Sequence, residues 1–511
     1  MDTPFTVPDL LRLTVQRCPD KVALYQGKNT LTYKDLDTLS NAVAMRLLAG
    51  GLVKGDRVVI LLRKSIEMVV AIWGVAKAGG VFVIVDTKLT LKQVAYRLHH
   101  CAPKVVIGDK HSRRLLGETH ELTYLDAGDF ATLDTANGKV PPSAAPIGKD
   151  VVAILYTSGS TGLPKGVTLS HENLVTGARI VARYLDIVHE DVVLSILPFH
   201  FDYGLNQLLT TIMVGAEIVL QNSTHPGDIC RNLKSHDVTG LAGVPTLWVQ
   251  LLSKLSPFAT MDFPKLRYIT NSGGSVPERH VTELQRLLPA TSIYLMYGLT
   301  EAFRSTFLPP DELPSRPTSM GKAIPNVEIL VVDEKGQECR AGEVGELVHR
   351  GGVIFQGYWN DVEATNRVLK PSPRQLDAVV CPELAVWSGD LVKRDDDGFL
   401  YFVGRRDKLI KSAGNRISPQ EVEAALMKVQ GINEAVVFGV PHEELGQSIT
   451  AVVAVDQGFT LDQGTVETAL QAEIARYMIP HKFVALTVLP RGSTGKVDRA
   501  RIEKEFGSDK N

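Results

Sequence analysis

Cysteine is scarce in this chain of 511 residues. Cys18, Cys101, Cys230, Cys339 and Cys381 are the whole complement, an odd number with no CxxC pair. That argues against a disulfide framework or a zinc site and fits a reducing, cytoplasmic setting. Excess charge of one sign is also lacking. A net charge of -2 leaves no broad basic field for nucleic acid or an anionic membrane. The start, Met1-Asp2-Thr3-Pro4, has no basic region followed by an apolar core, so no signal peptide is expected. Long uncharged apolar runs are missing too. The stretch Met68 to Val85 spans 18 residues but contains Lys77 and the pair Gly79-Gly80. A charge inside a span is costly and the length is marginal. The pattern predicts a buried helix ending near Ala78 and a buried strand over Val81 to Val85, and no membrane span. The Walker A pattern GxxxxGK[ST] is absent, which disfavours a P-loop NTPase. No internal repeat appears.

What is present is an ordinary globular composition, 22% charged and 44% hydrophobic. The length predicts two or three packed units. Leu31 to Leu48 has helical apolar spacing. Arg57 to Leu62 and Val105 to Ile107 read as short strands, as do Val192 to Leu197, Glu217 to Leu220, Gly240 to Val244 and Ser292 to Met296. Strands alternating with helices predict a largely parallel α/β sheet. From Gly321 to Tyr358 short alternating runs such as Val327 to Val332 and Glu346 to His349 predict antiparallel structure. A new small α/β pattern starts beyond Phe402-Val403, with helices at Pro419 to Lys428 and Leu461 to Ala475 and strands at Glu434 to Gly439 and Thr450 to Val455.

One loop carries the chemistry. Val151 to Tyr156 is an apolar strand that feeds into Thr157-Ser158-Gly159-Ser160-Thr161-Gly162-Leu163-Pro164-Lys165-Gly166-Val167. Glycines let backbone N–H groups approach an anion, the hydroxyls donate to phosphate oxygens, and Lys165 adds a positive charge. A strand before such a loop is the usual setting for phosphate binding in α/β proteins. Composition alone also allows a flexible turn. The order of residues is more specific. Tyr156 to Val167 matches every position of [YF]TSG[ST]TGxPKGV, and so resembles the signature of the adenylate-forming enzyme superfamily. That superfamily includes acyl-CoA synthetases, peptide-synthetase adenylation domains and firefly luciferase. Further matches run in family order from Leu31-Thr32-Tyr33 to Arg499. The look is nearest to an AMP-forming acyl-CoA ligase.

The resemblance implies a fold: a large N-terminal domain of parallel α/β subdomains with a small antiparallel β-structure, and a small mobile C-terminal α/β domain. The implied boundaries are 1–403, a hinge at 404–408 around Asp407, and 409–511. It also implies roles. Thr157, Ser158, Gly159, Ser160, Thr161, Gly162 and Lys165 would bind ATP phosphates, Thr157 and Lys165 catalytically. Gly273 and Gly274 in Asn271-Ser272-Gly273-Gly274 would line the adenine pocket. Tyr297-Gly298-Leu299-Thr300-Glu301 resembles YGxTE, with Tyr297 beside adenine, Gly298 also binding the nucleotide, Thr300 at the α-phosphate and Glu301 holding Mg²⁺, which favours oxygen donors. Trp387-Ser388-Gly389-Asp390 resembles TGD with Ser for Thr, Asp390 taking the ribose hydroxyls. Arg405 would contact the nucleotide. Pro490 to Arg499 resembles PRTxxGKxxR, with Thr494 a mild departure and Lys496 the catalytic lysine. Each of these reads as an ordinary turn, cap or solvated charge when taken alone.

The implied reaction is ATP-dependent formation of acyl-AMP and pyrophosphate, followed by transfer to a thiol. The small domain would swing about Asp407, removing Lys496 and bringing the segment near Gly414 to the site. The thiol would be CoA, or the phosphopantetheine of a carrier protein supplied in trans. The acid is less legible. Phe201-Asp202 resembles the FD pair of amino-acid-activating enzymes, whose Asp binds the amino group, yet Gly204 replaces the Ser of FDxS. Asn206, Gln207, Arg304 and Ser305 add polar lining, and Arg304 reads either as a recogniser of a second acidic group or as a structural cation. An acyl-CoA ligase, a free-standing adenylation enzyme, a luciferase-like oxidase and a degenerate binding module remain open at this level, with a small carboxylic or amino acid as the ligand.

Overall fold

The computed structural model describes residues 3–507 except 117–121, 134, 136–139, 141–143, 159–163, 376–379, 407–409, 413–414, 443–444, 457, 460, 475 and 493–494. Two large sheets form the N-terminal part. One has nine strands in the order Lys322–Ala323, Thr306–Leu308, Ser292–Tyr297, Tyr268–Asn271, Gly240–Gly243, Val192–Ser195, Glu217–Leu220, Val22–Gln26 and Asn29–Thr32. Its centre is parallel, from Ser292–Tyr297 through Val22–Gln26, and antiparallel strands close both edges. The other has seven strands, with Val81–Ile84, Arg57–Leu61, Val105–Gly108 and Thr123–Asp126 parallel in that order.

The helices join these sheets through one core. A single hydrophobic cluster holds Leu24 and Ile218 of the first sheet, Val58 and Phe82 of the second, and Val43, Ile72 and Trp73 of the helices. The stretch from Met68 is the buried helix Ile66–Lys77 and the buried strand Val81–Ile84. Ser65 caps that helix by accepting from the Met68 N–H. Lys77 is the charge that the core must satisfy. Its Nζ donates to Asp37 Oδ1 at 2.6 Å, Asn41 Oδ1 at 2.7 Å and Ser40 Oγ at 2.8 Å. No helix among the described residues is long and apolar enough to cross a membrane.

A third sheet is antiparallel: Val327–Val332, Val344–Gly351, Leu384–Arg394 and Leu369–Pro371, with Leu400–Arg405 also on Leu384–Arg394. The fourth belongs to the small C-terminal part. It contains Asn415–Ile417, Ile410–Ser412, Gly446–Val455 and Ile432–His442, with Lys482–Leu486 parallel to Gly446–Val455. Ile410, Val422, Leu426, Ile449 and Val453 form its own core.

One local expectation shifts. Leu31 does not begin a helix: Asn29–Thr32 is a strand, and Thr32 caps the helix Tyr33–Ala49 by accepting from Asp35 N. The chain after the glycine loop, for which the sequence offered no element, is a strand. Val151–Ser158 pairs antiparallel with Pro164–Ser170, Thr157 opposite Lys165. The β-branched Val167 and Thr168 suit a strand. The helix waits for Ser170, which caps His171–Tyr184 in a reciprocal box with Asn173.

Candidate active site

The first group of side chains gathers at the N-terminus of the helix Asp202–Val214. Asp202 is its first residue, in the first turn where the helix dipole favours a carboxylate. Thr300 Oγ1 donates to Asp202 Oδ1 at 3.2 Å, and Arg304 Nη1 donates to Asp202 Oδ2 at 3.1 Å. Arg304 Nη2 also reaches the Asp202 carbonyl at 3.3 Å. Both side chains are buried, 3% exposed for Arg304 and 5% for Asp202. The Arg304 guanidinium lies 4.9 Å from the centre of the Tyr203 ring. The two residues read separately in the sequence as an amine receptor and a carboxylate reader are therefore each other's partner. Gly204 follows from the same packing. A Cβ there would sit 2.9 Å from the Leu197 carbonyl oxygen and closer still to that of Pro198.

Lys496 arrives from the C-terminal part. Its Nζ lies 4.7 Å from the centre of the Phe201 ring, a cation over an aromatic face. It also packs on Gly273, whose φ of +80° suits glycine and whose missing Cβ would lie 3.0 Å from Lys496 Cε. Burial lowers the Lys496 pKa; the Asp202 carboxylate opposes that and Arg405 adds to it. Thr246 Oγ1 donates to the Gly495 carbonyl at 3.1 Å. Gly274 is exposed, and its carbonyl accepts from Asn271 Nδ2 at 2.9 Å, which holds the turn.

Glu301 lies one residue beyond Thr300 on the short 3₁₀ turn Thr300–Ala302. The Tyr358 hydroxyl donates to Glu301 Oε1 at 2.7 Å, and Lys165 Nζ sits 5.1 Å from the centre of the Tyr358 ring. Tyr358 thus ties the glycine-loop hairpin to the Glu301 turn. Burial raises the Glu301 pKa, against the Tyr358 hydrogen bond. Arg405 offsets part of that burial cost, and a divalent cation would offset more. As an oxygen donor the carboxylate fits Mg²⁺, which completes its shell with waters and phosphate oxygens.

The third group is a chain through Asp390. Tyr297 donates its hydroxyl to Asp390 Oδ2 at 2.5 Å and Arg405 Nε donates to Asp390 Oδ1 at 2.5 Å. Both oxygens expected to face a ribose thus accept from protein groups. Burial raises the Tyr297 pKa well above the usual phenol value, with Asp390 the next cause. Gly298, next to Tyr297 in the chain, faces the first group instead, the place of its Cβ lying 3.3 Å from Arg304 Cα.

Asn206 stands apart. Thr210 Oγ1 donates to its carbonyl at 2.6 Å, and its buried Nδ2 has no hydrogen-bond partner among the described residues. Gly159, Ser160, Thr161, Gly162, Asp407 and Gly414 lie outside the described residues. Tyr358 and Glu346 were not legible in the sequence. Glu346 Oε1 accepts from Gly389 N at 2.9 Å and its carboxylate pairs with Arg406 at 2.6 Å, so it braces Asp390 and the strand leading to Arg405. Neither stands in a motif of distinctive composition. Only pairing of distant strands brings them in.

Comparison with known proteins gives a match to the AMP-binding enzyme family over residues 11–359, and to the AMP-binding enzyme C-terminal domain over residues 421–496. Surfactin synthase subunit 2 of Bacillus subtilis (strain 168) is 29% identical over 98% of this chain, which spans only 14% of that protein's length. Long-chain-fatty-acid–CoA ligase FadD13 of Mycobacterium tuberculosis (strain ATCC 25618 / H37Rv) is 28% identical over 94% of this chain and 93% of its own. The structure of o-succinylbenzoate coenzyme A synthetase (MenE) from Bacillus subtilis, in complex with ATP and magnesium ion, superposes with a TM-score of 0.83. It is 26% identical, and the match covers 97% of this chain and 99% of that one.

Proposed function

The chain belongs to the AMP-binding enzyme family, whose model covers residues 11–359, and from that premise we propose that it is an AMP-forming acid–thiol ligase. The acid's carboxylate oxygen attacks the α-phosphorus of ATP, the bond to the β-phosphate oxygen breaks, and acyl-AMP and pyrophosphate result. A thiol sulfur then attacks the acyl carbon, AMP leaves, and the thiol proton passes to solvent. The thiol is most simply CoA, as in the names of FadD13 and MenE.

One observation carries this reading. Lys496, from the C-terminal part, lies over Phe201, beside an Asp202 carboxylate hydrogen-bonded to Thr300. A preorganised cation at that point stabilises the charge that gathers on phosphate oxygens during attack. Thr157, Ser158 and Lys165 serve the phosphates, Lys165 at the leaving pyrophosphate. Gly273, Gly274 and Tyr297 bound the adenine, with Asp390 and Arg405 at the ribose. Glu301 would hold Mg²⁺, which when bound would neutralise phosphate charge. Domain boundaries at 403 and 409, with Asp407 as the hinge, accord with a lysine that must leave before the thiol enters. The absence of paired cysteines accords with a cytoplasmic setting.

A second reading is a free-standing enzyme that loads an amino acid onto a carrier protein, in keeping with the surfactin synthase match. The buried Asp202–Arg304 pair weighs against it, because an ammonium would have to displace a guanidinium from a site closed to water. The deciding experiment is pyrophosphate exchange across fatty, aromatic, dicarboxylic and amino acids, followed by CoA consumption with the best acid. Exchange with a non-amino acid together with CoA turnover supports the ligase. Full exchange with alanine or proline and no CoA turnover sinks it.

A further inference from the structure

The small domain touches the large one at a second place besides Lys496. Arg279 is the second residue of the large-domain helix Glu278–Leu287, which follows the Asn271–Gly274 turn. Its Nη1 donates to the Met427 carbonyl at 2.9 Å and its Nη2 to the Ile432 carbonyl at 2.6 Å, with Asn433 Oδ1 at 3.4 Å. Met427 caps the C-terminus of the helix Pro419–Leu426, and Ile432 opens the strand Ile432–His442. The last carbonyls of a helix have no intrahelical donor and carry the negative end of its dipole. The Met427 carbonyl is such an acceptor and the Ile432 carbonyl lies at a strand start; a planar guanidinium reaches both at once, which a lysine ammonium does less well.

The gripped segment leads directly to the catalytic loop. Glu434, two residues after Ile432, accepts from Arg491 Nη2 at 2.8 Å. Arg491 Nη1 in turn donates to the Gly495 carbonyl at 3.3 Å, the same oxygen that takes the Thr246 hydroxyl. Gly495 precedes Lys496. Hydrogen bonds and short backbone steps, from Ile432 to Glu434 and from Gly495 to Lys496, thus link Arg279 through Arg491 to Lys496, and Thr246 fastens the far end to the large domain.

We propose that Arg279 is a positioning residue, a clamp that holds the small domain in the orientation that delivers Lys496 to the acid-activating site. The proposal rests on the ligase reading for its chemistry but not for its geometry. Arg279 touches no reacting atom, so its removal acts on the first half-reaction through Lys496 alone. The second half-reaction, which needs Lys496 gone, has no use for the clamp.

Two readouts test it together. The first uses the L255C/V488C pair in a C381S background, spin-labelled for distance measurement. Leu255 is 97% exposed on the large domain and Val488 64% exposed on the small one. This measurement needs no acid, so it stands even if no substrate of the proposed ligase is found. Arg279→Ala is expected to broaden the inter-domain distances beyond those of the parent. The second readout is kinetic. Arg279→Ala is expected to lower pyrophosphate exchange about tenfold or more, the effect of one charge-assisted contact, and to leave thiol transfer from supplied acyl-AMP unchanged. Arg279→Lys should recover part of the exchange. If Arg279→Ala does not fold, Thr246→Val, which removes only the Gly495 contact, is expected to shift both readouts the same way by a smaller factor. Unchanged distances overturn the clamp, whatever the exchange rate does. So does a loss shared equally by both half-reactions.

Discussion

Lys496→Ala removes the ammonium that stands over Phe201. On the proposed ligase reading, loss of such a preorganised charge costs about 10²–10³ in rate. Pyrophosphate exchange should fall by that factor, while thiolation of supplied acyl-AMP persists; an unaffected exchange would take Lys496 out of the mechanism. The Asp202–Arg304 pair makes a different expectation. Asp202→Asn or Arg304→Met alone leaves a buried charge without its partner, which costs about 3–5 kcal/mol. The double substitution should cost less than the sum of the two, because neither charge remains. Urea midpoints of the four proteins measure the coupling, and strict additivity would show that the pair is not a unit. At this scale no motif residue was readable alone; only their order and spacing along the chain set them apart from ordinary turns, caps and solvated charges. Their partners were not marked even in that way: Tyr358, Glu346 and Arg279 are ordinary residues until the fold places them.

The helix Asp202–Val214 shows what an element adds. Its first turn packs on the carbonyls of Leu197 and Pro198, so position 204 has no room for a Cβ. The neighbouring loop cannot yield freely. Lys64 Nζ, buried, holds the Ser195 carbonyl at 2.5 Å and the Leu197 carbonyl at 3.1 Å. Gly204→Ser, which would restore the FDxS pattern, is therefore expected to destabilise the protein by about 1–3 kcal/mol through overpacking. Thermal unfolding checks it, and a neutral result would mean that the Pro198 loop relaxes. The glycine loop gives the other lesson of this scale. Its apolar strand and small residues pointed to a phosphate-binding turn, but composition at 164–170 did not announce a hairpin. Strand pairing with Val151–Ser158 decided that.

The whole molecule carries buried rings that must stay neutral. Val7 N–H donates to His171 Nδ1 at 3.0 Å, and His349 Nδ1 is hydrogen-bonded to Ser305 Oγ at 2.9 Å. Burial lowers His171 to about 4 and His349 to about 3 from a usual 6.5. The folded value is depressed, so the unfolded chain binds more protons between the two values. Stability from these rings is full above about pH 6.5 and falls as pH drops towards 4 and 3. The slope is up to about 1.4 kcal/mol per pH unit for each ring. Denaturant midpoints between pH 7 and pH 4 should show the decline, and His171→Asn should shrink it. A flat profile would mean that the rings are solvated.

The ordered motifs by themselves determined the family, because their residue types and spacing are properties of the sequence alone. Alternating strand and helix periodicity determined the α/β class for the same local reason. Tertiary structure alone decided how those atoms meet. It joined Asp202 to Arg304 across 102 residues, tied Asp390 to Tyr297 and Arg405, and carried Lys496 to Phe201 from a separate core. A charge's partner depends on which surfaces are buried together, and that is settled by packing over the whole chain rather than by any neighbourhood in sequence.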